Sequence, residues 1–145
     1  MGAMKTLLAM AVAPALIGAA PAASDNRAIV TDFARLFYME KDVRAAFDRH
    51  VAPDYIQHNP GIADGRDAAV AALAPKFSSP GARFEIQRIL VDGDMAVIHL
   101  RARLTPDSRG LAVVDMYRIK GGRIVEHWDV LQPVPEHSAN PHPMF

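Results

Sequence analysis

The chain has 145 residues, half of them hydrophobic, and its 16 basic residues balance 16 acidic ones. This length and composition indicate one globular domain with a substantial core, and zero net charge without a basic cluster argues against nucleic acid as a partner. The absence of cysteine excludes disulfides, thiol nucleophiles and zinc–thiolate sites.

The N-terminal segment differs in character from the rest of the chain. Lys5 precedes an apolar run from Leu7 to Ala20, and Ala20-Pro21-Ala22 has the small-x-small pattern of a signal-peptide cleavage site. The run is short for a membrane span and is interrupted by Pro14; a buried or frayed N-terminal helix is the alternative. We predict a secretory signal peptide over residues 1–22 and a periplasmic or secreted mature protein without a membrane segment.

Apolar residues at helical spacing predict three helices in the first half of the chain. Ser24-Asp25-Asn26 can cap the first helix, Asp42 can cap the second, and Asp64 opens the third. Pro53 ends the second helix, and Pro75 distorts or ends the third. The predicted inner faces carry, in chain order, Ile29, Val30, Phe33, Leu36 and Phe37; Val43, Ala46, Phe47 and His50; and Val70, Leu73, Ala74 and Phe77.

A polar and aromatic segment, Asp54 to Gly61 (DYIQHNPG), separates the second helix from the third. Here His58 could orient or protonate a substrate oxygen, with Tyr55 and Asn59 adding hydrogen-bond donors. The alternative is an Asn-Pro turn whose histidine packs locally and bonds to the backbone. The residues favour neither interpretation over the other.

The second half of the chain changes to strand periodicity. We predict strands over Phe84–Val91 and Met95–Leu104, and a loop at Thr105–Arg109 that leads to two further strands. Helices followed by an antiparallel meander indicate an α+β domain, residues 23–132, in which helices cover one face of a curved sheet. Residues 133–145 contain too much proline for regular structure, and this tail could lie over the domain or reach a neighbouring subunit.

The last two strands flank Gly121-Gly122, a strong signal for a two-residue hairpin turn. Counting outward from this turn predicts opposed pairs on a shared face. The predicted pairs are Lys120–Arg123, Ile119–Ile124, Tyr117–Glu126, Asp115–Trp128 and Val113–Val130. The face with Asp115 is the more apolar, so we take it as the interior, which leaves His127 and Asp129 on the other face. A bulge would reverse this assignment, because a one-residue slip flips every side chain.

Asp115 is the most informative residue, because a carboxylate is disfavoured in the middle of a β-branched strand. Apolar surroundings would raise its pKa and suit it to moving a proton next to a carbonyl. The alternative is a structural Asp paired with an Arg or His. His99, in the neighbouring strand, is a natural partner if it points inward, which we favour, although both faces of that strand look half-buried.

Motifs for other chemistries are missing from the sequence. The six histidines are scattered, with no H-x-H or H-E-x-x-H spacing, so a metal site is left only as an assembly from distant strands. No serine-nucleophile motif, dinucleotide-binding loop or P-loop occurs. We therefore predict neither a metal nor a cofactor.

Two segments carry a resemblance to a known family. YIQHNPG before the third helix and VVDMYRIKGGRIVEHWDV at the end resemble the SnoaL-like polyketide-cyclase group of the nuclear-transport-factor-two-like superfamily, over roughly Asn26 to Gln132. The resemblance implies a cone-shaped α+β barrel around a deep apolar pocket, usually dimeric through its sheet. It also implies cofactor-free acid–base chemistry such as aldol cyclisation, isomerisation or dehydration. Many such sequences carry an acidic residue four positions after the tryptophan, where this chain has Gln132.

We therefore predict a cofactor-independent enzyme acting on a small apolar carbonyl compound, a homodimer by resemblance. The candidate catalytic residues are Asp115, His99 and His58. The candidate substrate-binding residues are Tyr55, Asn59, Tyr117, Trp128, Phe33 and Phe37. The alternatives are a binding protein that holds a hydrophobic molecule unchanged, modestly favoured by Gln132, and an interaction module without a ligand.

Overall fold

The computed structural model describes residues 23–145, so the predicted signal peptide lies outside the described residues. The helices are α1 (Ala23–Ala34), which continues as a π-helical turn (Arg35–Met39), α2 (Val43–His50) and α3 (Arg66–Phe77). The strands are β1 (Val51–Gln57), β2 (Arg83–Asp92), β3 (Met95–Arg103), β4 (Leu111–Lys120) and β5 (Arg123–Pro133).

The helix ends follow the sequence signals in part. The Asp42 side chain accepts a hydrogen bond from the Ala45 amide (2.9 Å) and caps α2, as predicted. Asn26 instead lies within α1, and its Nδ2 donates to the Gly93 carbonyl in the β2–β3 turn (2.9 Å). Pro75 is accommodated inside α3, which continues to Phe77.

The five strands form one mixed, open sheet in the order β1-β5-β4-β3-β2. Strands β2 to β5 form the predicted antiparallel meander. No strand was predicted between the second and third helices, but the first part of the polar segment there belongs to strand β1, which pairs in parallel with β5. Pro53 fits there because β1 is an edge strand with one free hydrogen-bonding side. The α+β class is confirmed, but the sheet is neither purely antiparallel nor closed.

Two faces of the sheet differ in what covers them. The inner face packs against the helices and buries alternate residues of β3 and β4, among them Ile98, Leu100 and Val113. Phe33 and Phe47 are fully buried between this face and the helices. The outer face carries the intervening residues of the same strands.

The β4–β5 hairpin contains a bulge that the sequence analysis named only as an alternative. Gly121 and Gly122 form the predicted two-residue turn, with φ angles of 57° and 76°. The pairs Lys120–Arg123 and Ile119–Ile124 are as predicted, but Arg118 pairs with Glu126, which leaves Val125 as an extra residue. The predicted pairs beyond this point are therefore wrong.

The bulge exchanges the two faces of β5. Tyr117 now pairs with His127, and Asp115 with Asp129, so these β5 side chains share the inner face. Trp128, expected inside, lies on the outer face instead. The physical reason is the two-residue period of a strand, which turns one added residue into an inversion of every later side chain.

The C-terminal tail, residues 134–145, has no regular element and lies over the outer face. The Val134 amide donates to the Gly110 carbonyl (3.0 Å), and the Arg101 guanidinium lies 5.2 Å from the centre of the Phe145 ring. Of the two predicted courses, the tail therefore follows the one over its own domain. Among residues 23–145, no helix is long and apolar enough to cross a membrane.

Candidate active site

A cavity of about 190 Å³ lies between the helices and the inner face of the sheet. Most of its lining is aromatic or aliphatic, including Phe37, Phe47, Phe77, Phe84, Leu100 and Val113. The ring centres of Phe37 and Phe77 are 4.3 Å apart, and those of Phe77 and Phe84 are 4.2 Å apart, so this wall is closely stacked. The polar lining groups come mainly from the C-terminal end of β1 and from the middle of β4 and of β5.

Asp115 lies in this polar part of the lining and is only 7% exposed. The Tyr38 hydroxyl donates to its Oδ2 at 2.5 Å, and the Tyr38 and Tyr117 hydroxyl oxygens are 2.8 Å apart. Tyr38 belongs to the π-helical turn, a feature that occurs often at functional sites. The inward position of Asp115 agrees with the sequence prediction, and its contact with Tyr38 is a new finding.

The imidazole of His127 contacts the other carboxylate oxygen of Asp115. Its Nε2 lies 3.1 Å from Asp115 Oδ1, and its Nδ1 lies 2.8 Å from Gln57 Oε1. The side chain is buried, and the ring centre lies 4.9 Å from that of Tyr117. His127 thus takes the place beside Asp115 that the sequence analysis gave to His99.

Asp129 adds a second carboxylate to the same wall. One donor atom each from Asp115, His127 and Asp129 lie within 4.8 Å of one another. Asn59 Nδ2 donates to Asp129 Oδ2 at 2.5 Å, and Asp129 is half-buried at the cavity surface. Two carboxylates and one imidazole therefore face a largely apolar space.

Within residues 23–145, these three side chains also form a group that could hold a metal between separate strands. One imidazole and two carboxylates are ligands that several divalent cations accept. However, Asp115 and His127 are joined by a direct hydrogen bond, which would have to break before one cation could bind both. The present geometry fits proton sharing between the two side chains.

The tyrosines around Asp115 are held in the neutral, hydrogen-donating form. Burial, and then the charge of Asp115, raises the pKa of Tyr38 and of Tyr117 well above the usual tyrosine range. The same causes raise the pKa of Tyr55. These hydroxyls act as fixed donors and acceptors, not as proton carriers near neutral pH.

Five of the predicted site residues line the cavity: Asp115, Tyr55, Asn59, Tyr117 and Phe37. The placement of His99 in the pocket is wrong. His99 pairs with Val114 on the outer face, where Arg88 Nη1 donates to its Nδ1 at 2.8 Å. Its bulkier apolar neighbours Ile98 and Leu100 occupy the inner face instead, and both are almost fully buried.

Three further candidates lie away from the cavity. His58 Nε2 contacts Glu126 Oε1 at 2.8 Å, and the His58 ring stacks on Trp128 with centres 4.6 Å apart. The bond to His58, with help from Arg118, lowers the pKa of Glu126. This group lies outside the cavity lining, and Phe33 is buried in the core behind Tyr117. His58 and Trp128 are therefore misplaced by the sequence analysis, and Phe33 contacts the pocket wall only from behind.

Four residues of the polar wall were not predicted from the sequence: Tyr38, Gln57, His127 and Asp129. Only the possible bulge near Gly121-Gly122 could have indicated His127 and Asp129, and nothing in the helical spacing indicated the π-helical turn that positions Tyr38. Gln132 lies on the outer face opposite Ala112. An amide at this position therefore removes no carboxylate from the cavity.

Comparisons with known proteins agree with this architecture. Residues 30–127 match the family model of the SnoaL-like domain. No match was found among curated proteins. An NTF2-like protein of unknown function from Mesorhizobium loti is 26% identical, with 76% of this chain and 93% of that chain aligned and a TM-score of 0.66.

Two other solved structures share the fold at lower identity. A protein from Acidithiobacillus ferrooxidans, provisionally named a polyketide cyclase, is 22% identical, with 74% of this chain and 87% of that chain aligned and a TM-score of 0.59. A protein from Kribbella flavida, provisionally named a ketosteroid isomerase, is 16% identical, with 81% and 84% aligned and a TM-score of 0.65. At these identities the likeness shows the fold alone.

Proposed function

Because the chain belongs to the SnoaL-like family, we propose that it is a cofactor-independent acid–base enzyme acting on a small apolar carbonyl compound. The observation that carries this proposal is the hydrogen-bonded pair of Asp115 and His127 in the wall of an apolar cavity. An apolar pocket with a few convergent polar groups is the usual form of a binding or active site. The provisional names of the two structural neighbours belong to the same class of chemistry.

The two carboxylates have different surroundings and take different roles in this proposal. Asp115 is bonded to His127 and Tyr38, and the pair can hold one shared proton at the cavity wall. Asp129 accepts a hydrogen bond from Asn59 and leaves its second oxygen available. Asp129 therefore removes a proton from the carbon next to the substrate carbonyl, while the Asp115–His127 pair gives its proton to the carbonyl oxygen.

The resulting enol has two outcomes within the same site. Return of a proton to a different carbon gives an isomer, and attack of the enol carbon on a second carbonyl of the same molecule closes a ring. In isomerisation the proton on Asp129 goes to the new carbon, and in ring closure it goes to the oxygen of the second carbonyl. In both cases the enol hydroxyl returns its proton to the Asp115–His127 pair, so the enzyme regains its starting state. No cofactor enters this balance.

The size of the cavity limits the substrate. An engineered apolar cavity of about 150 Å³ holds benzene, and drug-sized ligands occupy pockets of roughly 300–1,000 Å³. A cavity of about 190 Å³ therefore suits a compound of one or two rings. The stacked phenylalanines favour a flat, apolar ring system.

The test is incorporation of deuterium from heavy water into a panel of one- and two-ring ketones and diketones, followed by NMR. We expect exchange next to the carbonyl with the wild-type protein, and a fall of about 10²–10⁴-fold in Asp115→Asn and in Asp129→Asn. Asp54→Asn is the matched control, since Asp54 is an exposed carboxylate of β1. Equal exchange rates in the wild type, Asp115→Asn and Asp129→Asn would contradict the proposal.

One observation favours the alternative, a protein that binds a small hydrophobic molecule without changing it. The polar groups of the wall already satisfy one another, from Tyr38 through Asp115 and His127 to Gln57. A network of this kind can also serve stability alone. A ring compound that binds tightly but shows no exchange, and is recovered unchanged, would establish this alternative.

A further inference from the structure

Gln57, the last residue of β1, contacts three groups of the polar wall. Its Oε1 accepts a hydrogen bond from the Asn59 amide (2.9 Å) and lies 2.8 Å from His127 Nδ1. Its Nε2 donates to the Tyr55 hydroxyl at 3.3 Å. Gln57 sits opposite His127 because β1 and β5 pair in parallel at this position.

The orientation of the Gln57 amide follows from its partners. The backbone N–H of Asn59 can only donate, so the atom that faces it must be the amide oxygen. A flipped amide would direct its NH₂ group at that N–H and would lose the bond. The backbone at the end of β1 is also held in place, because the backbone N–H of Gln57 donates a hydrogen bond to Asp64 Oδ1 at 2.8 Å.

This orientation determines where His127 carries its proton. The Gln57 oxygen has no hydrogen to give, so the short contact to His127 Nδ1 requires a hydrogen on Nδ1. In the neutral ring Nε2 is then a bare acceptor facing Asp115 Oδ1. The contact between Asp115 and His127 consequently needs one further proton, on the carboxyl or on the ring.

We propose that Gln57 is a positioning residue that holds His127 in the Nδ1–H tautomer, so that Nε2 and Asp115 share a transferable proton. Without this acceptor the neutral ring can move its hydrogen to Nε2 and donate it to an ionised Asp115. The hydrogen bond would survive, but it would now join a neutral ring to an ionised carboxylate. The pair would then hold no extra proton to give to a substrate. The effect of Gln57 on catalysis rests on the proposed function, whereas the assignment of the His127 tautomer does not depend on it.

The tautomer is measured by ¹⁵N NMR of the His127 ring in the full chain after removal of any signal peptide. We expect the Nδ1–H tautomer in the wild type at pH values where the ring is neutral. In Gln57→Leu we expect the Nε2–H tautomer to become the major form. In Gln57→Glu, which keeps an acceptor oxygen at the same place, we expect Nδ1–H to be retained.

Gln87→Leu is the matched control, because Gln87 is an exposed glutamine of β2. The wild-type spectrum alone overturns the proposal if His127 carries its hydrogen on Nε2, so the test does not depend on the folding of the Leu variant. Retention of Nδ1–H in a folded Gln57→Leu protein would overturn it as well.

Activity gives a separate readout. The wrong histidine tautomer costs a serine protease about 10⁴ in kcat, and here we expect a fall of at least about tenfold in the deuterium exchange rate of Gln57→Leu, with Gln57→Glu recovering part of it. A protein without exchange activity but with the expected tautomers would contradict the proposed enzyme and leave the role of Gln57 intact. Unchanged exchange in a Gln57→Leu protein that has switched tautomer would contradict the positioning role of Gln57 in proton transfer.

Discussion

At the scale of single residues, the hydroxyls of Tyr38 and Tyr117 form a chain that ends on the carboxylate of Asp115. Both side chains are at most 3% exposed. Burial and the charge of Asp115 raise the pKa of each phenol, so the folded protein holds these two protons more tightly than the unfolded chain does. The two hydroxyls therefore keep their protons at neutral pH, and they reduce the stability of the fold only at alkaline pH.

This difference predicts the alkaline stability of the protein. Tyrosines of the unfolded chain ionise at about pH 10, so the stability that comes from the raised pKa is fully present below that pH and is lost as the pH rises above it. Each buried tyrosine should lower the free energy of unfolding by about 1.4 kcal/mol per pH unit there. Urea unfolding of the wild type and of Tyr117→Phe between pH 9 and 11 measures this.

The stability of the Tyr117→Phe variant at pH 7 is the reference for its behaviour in alkali. We expect it to lose about 1 kcal/mol at pH 7 through the missing hydrogen bond, but to lose stability less steeply than the wild type above about pH 10. Parallel slopes for the two proteins in the alkaline range would show that Tyr117 is not the source of the sensitivity.

Some site residues could be recognised from the sequence because their type conflicts with their setting. Asp115 stood out as a carboxylate among β-branched residues, and the alternation of β4 then placed Tyr117 on the same face. His99 was misplaced because its own face of β3 mixes apolar side chains with two arginines, which made that face look half-buried from the sequence. Its position was decided by packing, which fills the inner face with Ile98 and Leu100.

At the scale of elements, the site depends on one extra residue in β5. Val125 has no partner in β4, and this bulge turns His127 and Asp129 toward Asp115. A regular hairpin of the same sequence would point Glu126 and Trp128 inward instead. The bulge is therefore what assembles the two carboxylates and the imidazole.

Deletion of Val125 tests this dependence. We expect the deletion to lower the free energy of unfolding by more than about 2 kcal/mol, because either the hairpin separates or polar and aromatic residues exchange faces. Deuterium exchange activity should fall to the level of Asp115→Asn. Denaturant unfolding and the exchange assay provide the two measurements.

Val125→Ala separates the side chain from the bulge, since it shortens a half-buried residue and keeps the residue count. It should cost no more than about 1 kcal/mol and should keep activity. A deletion variant that matches Val125→Ala in both stability and activity would mean that the bulge does not position the site.

Other elements were hidden from sequence reasoning for physical reasons. Strand β1 contains Pro53 and Asp54, which are rare in central strands, and it is stable only because β5 supplies a parallel partner. The π-helical turn follows from no local pattern, since the apolar spacing of Leu36 and Phe37 fits an α-helix equally well. Both are features of tertiary structure, and Gln57 and Tyr38 reach the cavity through them.

At the scale of the whole molecule, the change of periodicity from helix to strand was enough to predict an α+β domain with helices on one face of the sheet. The family resemblance predicted an apolar pocket, and the structure contains a cavity between those layers. The mixed and open character of the sheet could not be predicted without β1. Export through residues 1–22 and assembly into a homodimer stay predictions.

The outer face of the sheet bears on that assembly. The tail lies along this face, where Pro135 and Met144 border a groove beside Val114 and Val130. A dimer formed through the sheet would have to include these tail residues or displace them. The outer face of the sheet and the tail therefore have to be considered together when the oligomeric state is determined.

The proposed mechanism treats Asp115 and His127 as one proton-transferring unit. Deuterium exchange rates of a carbonyl compound with Asp115→Asn, His127→Gln and the double variant distinguish this unit from two independent groups. Groups that act as a unit give losses that are far from additive. We expect the double variant to be no slower than the slower single variant, whereas losses that multiply would show that the two side chains work independently.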